Sequence, residues 1–208
     1  MDSESNVQLT TSERIARIIS LLTISPFQVV VYLAFADVIC SNLLEEMLLN
    51  TISGTFYLVI PFLPLIYITR KKRIKNASIP REDRFLLLLI QIIGFIGASF
   101  VYYFYPVWTG LNTEILLIFT IGYTILNAIC LVITIGLKYK ISLHMTGATS
   151  SITALVMVFG WQWGFLYLFC ILIGWARLKL HAHTRSQVIS GTILGIIVIL
   201  LTFTSFGF

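Results

Sequence analysis

Gly147-Ala-Thr-Ser-Ser-Ile-Thr-Ala-Leu-Val-Met-Val-Phe-Gly160-Trp-Gln-Trp-Gly164-Phe-Leu-Tyr-Leu-Phe-Cys-Ile-Leu-Ile-Gly-Trp-Ala176 is the stretch on which the topology turns. As one helix it would be about 45 Å long, too long for a hydrocarbon core of about 30 Å without strong tilt. Two glycines around two amphipathic tryptophans read instead as a turn near a membrane interface. A hairpin there leaves two arms of about 20 Å each, which calls for shelter inside a bundle. The choice decides which side of a membrane receives Arg177 to Gln187.

Composition sets the frame for that choice. The 208-residue chain is 58% hydrophobic and 11% charged, with a mean hydropathy of +0.94. A soluble domain carries about 25% charged residues, so the class is an all-α, polytopic transmembrane helical bundle. Five further spans read at about residues 15–36, 51–69, 85–105, 114–137 and 187–206, for six to seven spans in all. Residues 14–208 form one domain behind a polar N-terminal tail over 1–13. The net charge of +5 points to anionic headgroups of membrane lipids, with no nucleic acid as partner. Cys40, Cys130 and Cys170 are scattered without metal-type spacing and read as buried apolar residues.

With the hairpin in place the loops sort by charge. All 14 Lys and Arg residues, from Arg14 to Arg185, fall on one face, while Asp37, Glu45, Glu46 and Glu114 fall on the other. The positive-inside rule puts the basic face in the cytoplasm. A single span over 147–176 would carry Arg177, Lys179 and Arg185 across and spoil the asymmetry.

Three loops on the basic face carry the chemistry. In the third, Gln187 follows His183 by four residues, so on a helix the two share a face. A glutamine carbonyl can accept from the imidazole Nδ1–H and aim Nε2 outward, which suits a nucleophilic or acid–base histidine. Arg177 lies six residues before His183, and a break near 180–182 is needed to bring its planar fork to the same point. The second loop offers Ser142 and His144 just before a helix start, where a hydroxyl and free amides hold anions and the imidazole can act as general acid. The first loop offers Lys75, Arg81 and Arg84 as neutralising charges. His181 reads as a surface neighbour, and no carboxylate or cysteine stands near it to complete a metal site.

This order of residues resembles the type 2 phosphatidic acid phosphatase superfamily of integral-membrane lipid phosphatases. Ala176-Arg177-x5-His183-x3-Gln187 is similar to its third motif, and Ile141-Ser142-Leu143-His144 to its second. Gly191-x3-Gly195 resembles the small-residue helix that follows. The chain departs from the family at Ala176 for serine, at Ile141 and Leu143 for proline and glycine, and at Gln187 for aspartate. The His-Thr-x-x-Gln form resembles the dolichyl diphosphatases of the same superfamily. In the first motif, five residues separate Lys75 from Arg81 where the family has six, so Arg81 and Arg84 both stand as candidates.

The resemblance implies a lipid phosphate or polyprenyl diphosphate as substrate. It implies His183 as a nucleophile passing through a phosphohistidine and His144 as the acid that protonates the leaving alcohol. Arg177, Ser142, Lys75 and one first-loop arginine would bind the phosphoryl group, with no metal or cofactor. Two rivals stand beside this reading. One is an altered homologue that binds lipid phosphates without hydrolysis. The other is a small transporter, against which the spans offer no basic residue deep in the core.

Overall fold

Capping chemistry fixes where the first and last helices begin. Thr10 and Glu13 form a reciprocal box at the start of α1 (Thr11–Leu22), and Thr184 and Gln187 form another at the start of α9 (Arg185–Ser205). The computed structural model describes residues 10–23, 26–72 and 79–208. Between those boxes run α2 (Pro26–Ile39), α3 (Leu43–Gly54), a π turn (Thr55–Val59) and α4 (Ile60–Lys72). A 3-10 turn (Arg81–Asp83) then leads into α5 (Arg84–Thr109), followed by α6 (Glu114–Leu131) and a second π turn (Val132–Gly136). Last come α7 (Leu143–Phe159), a 3-10 turn (Trp161–Leu166) and α8 (Tyr167–Lys179), which precede α9.

The protein is an all-α membrane bundle. Five stretches, 11–39, 43–70, 81–109, 114–136 and 185–205, are long and apolar enough to cross a membrane, and α7 is a shorter apolar helix. Two expected boundaries shift. The span read at 15–36 comprises α1, which packs along α8, and α2, which packs on α3 and α7. The tail read over 1–13 lies outside the described residues up to position 9, and its last three residues already belong to α1.

The hairpin is present. Gly160 ends α7 at φ +94°, a conformation open to glycine, and α8 returns alongside α7. The expected shelter holds for one arm only. Residues Thr149 to Leu155 of α7 are all buried, whereas Leu168, Ile171 and Leu172 of α8 are half or more exposed. The reason is length: α8 and the 3-10 turn before it rise together by about 30 Å, so this arm is no short stub.

Inside the bundle, rings of Phe35, Tyr57, Phe95, Phe119 and Tyr123 interlock, with the Phe119 and Tyr123 centroids 4.7 Å apart. Tyrosine hydroxyls of the core are paired inside the bundle: Tyr57 with Thr120, and the neighbouring Tyr102 with Ser53 at 2.8 Å. In hydrocarbon such bonds have no water to replace them.

The seam that positions the basic loops is between α7 and α9. A Cβ at Gly191 would stand 2.7 Å from the Ser142 carbonyl oxygen, and one at Gly195 would stand 2.6 Å from that of Thr146. Only hydrogen at these positions lets the two backbones touch. Gly195→Ala is therefore expected to cost about 1–3 kcal/mol through overpacking against backbone that cannot rotate away. Thermal unfolding in detergent measures this, and a variant that melts with the wild type refutes the close seam.

Candidate active site

A helix ending supplies the break that the third loop needs. At the end of α8 the His181 N–H donates to the Leu178 carbonyl (3.0 Å) and the Ala182 N–H to the Arg177 carbonyl (3.1 Å). His181 takes the left-handed conformation, φ +49°, that this double-bonded ending requires. The chain thereby doubles back, so Arg177 and His183 come within electrostatic reach of each other despite the six-residue interval. His181 itself points to the exterior and serves as the hinge of the turn.

The loops meet through their backbones. The Ser142 N–H donates to the Gln187 carbonyl (3.2 Å), Arg84 Nη1 donates to the Ile141 carbonyl (2.6 Å), and His183 Nδ1 donates to the Lys140 carbonyl (3.2 Å). Segments near 84, 140 and 183 thus share one end of the bundle, and the Tyr139 hydroxyl adds a bond to Ser186 at 2.7 Å.

His183 is held in one tautomer. Its Nδ1 faces two carbonyl acceptors, Lys140 O and Gln187 Oε1, the latter at 3.1 Å, so the proton sits there and Nε2 carries the lone pair. The Gln187 amide is oriented independently, because the Thr184 N–H also donates to Oε1 at 3.2 Å. Gln187 therefore serves both as helix cap and as imidazole anchor. The Thr184-x-x-Gln187 spacing, a capping-box pattern, was the available signal for the first role. Arg84 Nη2 lies 3.4 Å from the His183 Nε2.

The arginines separate cleanly. Arg84, at the start of α5, is 3% exposed, whereas Arg81 is half-buried and fastens the Lys138 carbonyl at 2.9 Å beside Glu82. Of the two candidates, Arg84 is the one at His183. Arg177 is 2% exposed and donates from Nη1 to the Ser20 hydroxyl. Both groups that Arg84 bonds are neutral, its Nε has no partner among the described residues, and the charge of Arg177 acts on it. Ser142, the N-cap residue of α7, is fully buried, and its Oγ is also without a partner among the described residues. His144 is half-buried and donates from Nε2 to the Ser20 carbonyl at 3.2 Å. Lys75 lies outside the described residues.

Ser20 of α1 was missed in the sequence. It is a lone hydroxyl in Ile18-Ile-Ser-Leu-Leu22, and nothing in that run marks it as the group touching both Arg177 and His144. A cavity of about 420 Å³ opens beneath these groups, with Arg17, Ser20, Arg84, His144 and Arg177 in its lining. No family model, curated protein or solved structure matches the chain.

Burial, followed by the charges of Arg84 and Arg177, lowers the His183 pKa to about 3, and the Gln187 bond only partly offsets this. Burial likewise holds Lys140 below the usual lysine range. His183 is thus neutral at pH 7, with its Nε2 lone pair free of a proton. Between pH 6.5 and 3 the unfolded chain takes up a proton at this residue that the folded chain refuses, so stability falls as pH drops through that window. The slope is about 1.4 kcal/mol per pH unit for a single group. Melting curves from pH 7 to 4 should show this decline, and His183→Gln should make it shallower. Equal pH slopes in both proteins would exclude His183 as the titrating group.

Proposed function

We propose that the chain is a membrane-embedded phosphatase of the type 2 phosphatidic acid phosphatase superfamily, acting on a lipid phosphate or polyprenyl diphosphate. One observation carries the reading. A buried guanidinium and a buried hydroxyl, both with unused hydrogen-bonding capacity, stand with an unprotonated imidazole nitrogen where three loops meet. Buried cations require an anion or several acceptors, and a phosphoryl group supplies three oxygens and two negative charges.

In the proposed reaction His183 Nε2 attacks phosphorus, the bond to the lipid oxygen breaks, and the phosphoryl group passes to the imidazole. Gln187 and the Lys140 carbonyl keep Nδ1–H in place while positive charge develops on the ring. Arg84, Arg177 and Ser142 neutralise the equatorial oxygens. The negative charge of the bound phosphate favours His144 as the imidazolium, which gives its Nε2 proton to the departing alkoxide once that N–H leaves the Ser20 carbonyl and remains as neutral imidazole. A water then attacks the phosphohistidine, His144 takes a proton from it, and inorganic phosphate leaves.

The charge distribution favours a cytoplasmic site that a lipid enters from the bilayer with its tail still in hydrocarbon. The test is release of phosphate from phosphatidate and from a polyprenyl diphosphate in detergent, together with trapping of an acid-labile, base-stable phosphoprotein. Binding of either lipid with neither release nor labelling would make the chain a non-hydrolysing lipid-phosphate binder.

A further inference from the structure

Below its cationic mouth the cavity continues into the apolar part of the bundle, between walls from α1, α4, α5 and α6. Gln91 lies seven residues beyond Arg84 on the same face of α5, about 10 Å deeper. Gln28, Tyr123 and Asn127 line the cavity with it, among Phe62, Leu65, Leu87 and Leu126. The hydroxyl of Tyr123 is already engaged by the Gly147 carbonyl, Ser150 and Ser151. Asn127 spends one N–H on the Tyr123 carbonyl, at 2.8 Å. The Gln91 amide forms no hydrogen bond among the described residues.

An amide without a partner at membrane depth is costly, because hydrocarbon offers nothing to bond. In this cavity water or a ligand supplies the partner, and a bound lipid that displaces the water has to bring an acceptor or donor of its own. A polyprenyl chain has no acceptor or donor beyond its phosphate groups. A glycerol-based lipid phosphate carries ester or ether oxygens only a few bonds past phosphorus, where the deeper wall turns polar. Its volume suits a backbone and not whole chains. At about 30 Å³ for a water, 420 Å³ holds a glycerol and the first carbons of its chains, with the remainder in the bilayer.

We propose that this cavity receives the glycerol backbone of a glycerol-based lipid phosphate, and that Gln91, with Asn127 beside it, selects such lipids over polyprenyl phosphates. This rests on the lipid-phosphatase reading of the mouth and narrows its substrate class. The experiment compares full-length wild type with Gln91→Leu in detergent. It measures kcat/KM for phosphatidate and for a polyprenyl monophosphate, and in parallel the retention of each lipid by native mass spectrometry.

The wild type should favour phosphatidate, and Gln91→Leu should reduce the phosphatidate-to-polyprenyl ratio about tenfold, the worth of one buried hydrogen bond. The value for the polyprenyl lipid should hold or rise. Leucine removes an unbonded amide, so the variant should melt no lower than the wild type. Phosphate release with a ratio indifferent to Gln91 would overturn the cavity assignment and leave the phosphatase standing. Selective retention that is lost in Gln91→Leu, without phosphate release by the wild type, would uphold the assignment and overturn the phosphatase. Retention of neither lipid would overturn both.

Discussion

His183→Ala is expected to lose turnover by about 10⁴-fold or more, with the chain still folded. The size follows from the proposed role. If the imidazole itself takes the phosphoryl group, alanine removes the bond-forming atom, and the remaining cations hold a substrate that nothing attacks. Folding should survive because Gln187 keeps its bond to the Thr184 N–H, so the start of α9 stays capped. His183→Gln, which fills the space, guards against collapse of the site. Labelled lipid phosphate should mark the wild type with a base-stable phosphoryl group and leave both variants unmarked. Turnover and labelling in His183→Ala at the wild-type level would remove the nucleophile and the proposed reaction with it.

Arg84→Met should separate catalysis from stability. Arg84 is buried, receives the like charge of Arg177 and, among the described residues, bonds only neutral groups. Replacing such a cation by an apolar side chain of similar length removes a desolvated charge, which tends to be neutral or stabilising. The lost bond to the Ile141 carbonyl works the other way, so the melting temperature should stay near that of the wild type. Activity should fall about 10²–10³-fold, the usual scale for losing one preorganised group that meets transition-state charge. Arg84→Lys should recover little, since an ammonium cannot bridge Ile141 and a phosphoryl oxygen as the planar fork does. Arg81→Ala serves as the comparison. Its partners are the Lys138 carbonyl and a solvent-screened Glu82, so a loss of less than about fivefold is expected. Equal losses at both positions would contradict the separation of the two arginines.

The Gln187–His183 pair was legible from its four-residue spacing, although His183 precedes the N-cap Thr184 and meets the Gln187 side chain where that side chain folds back over the start of α9. The reversal after α8 was legible as a need, since Arg177 and His183 cannot meet on a continuous helix. Its agent, His181 in a left-handed conformation, was not, because residues other than glycine seldom announce that role. The choice between Arg81 and Arg84 was closed to the sequence, where both are basic residues at one helix start. It depends on which of them faces the Ile141 carbonyl across 57 positions. Ser20 was silent for the same reason: its partners lie 124 and 157 positions away. Gln91 is a single polar residue in an apolar run of α5, and only the cavity gives it a place.

By itself, then, the sequence determined a greasy helical bundle and its hairpin at Gly160. Those features follow from segment length, hydropathy and glycine chemistry, which act within a few turns of chain. Only the tertiary structure decided which arginine stands against His183, that α1 reaches the site through Ser20, and that α8 faces outward while α7 is enclosed. Those outcomes depend on how closely helices approach. At the α7–α9 seam, two glycines without side chains let distant backbones touch and so fix where every loop residue points.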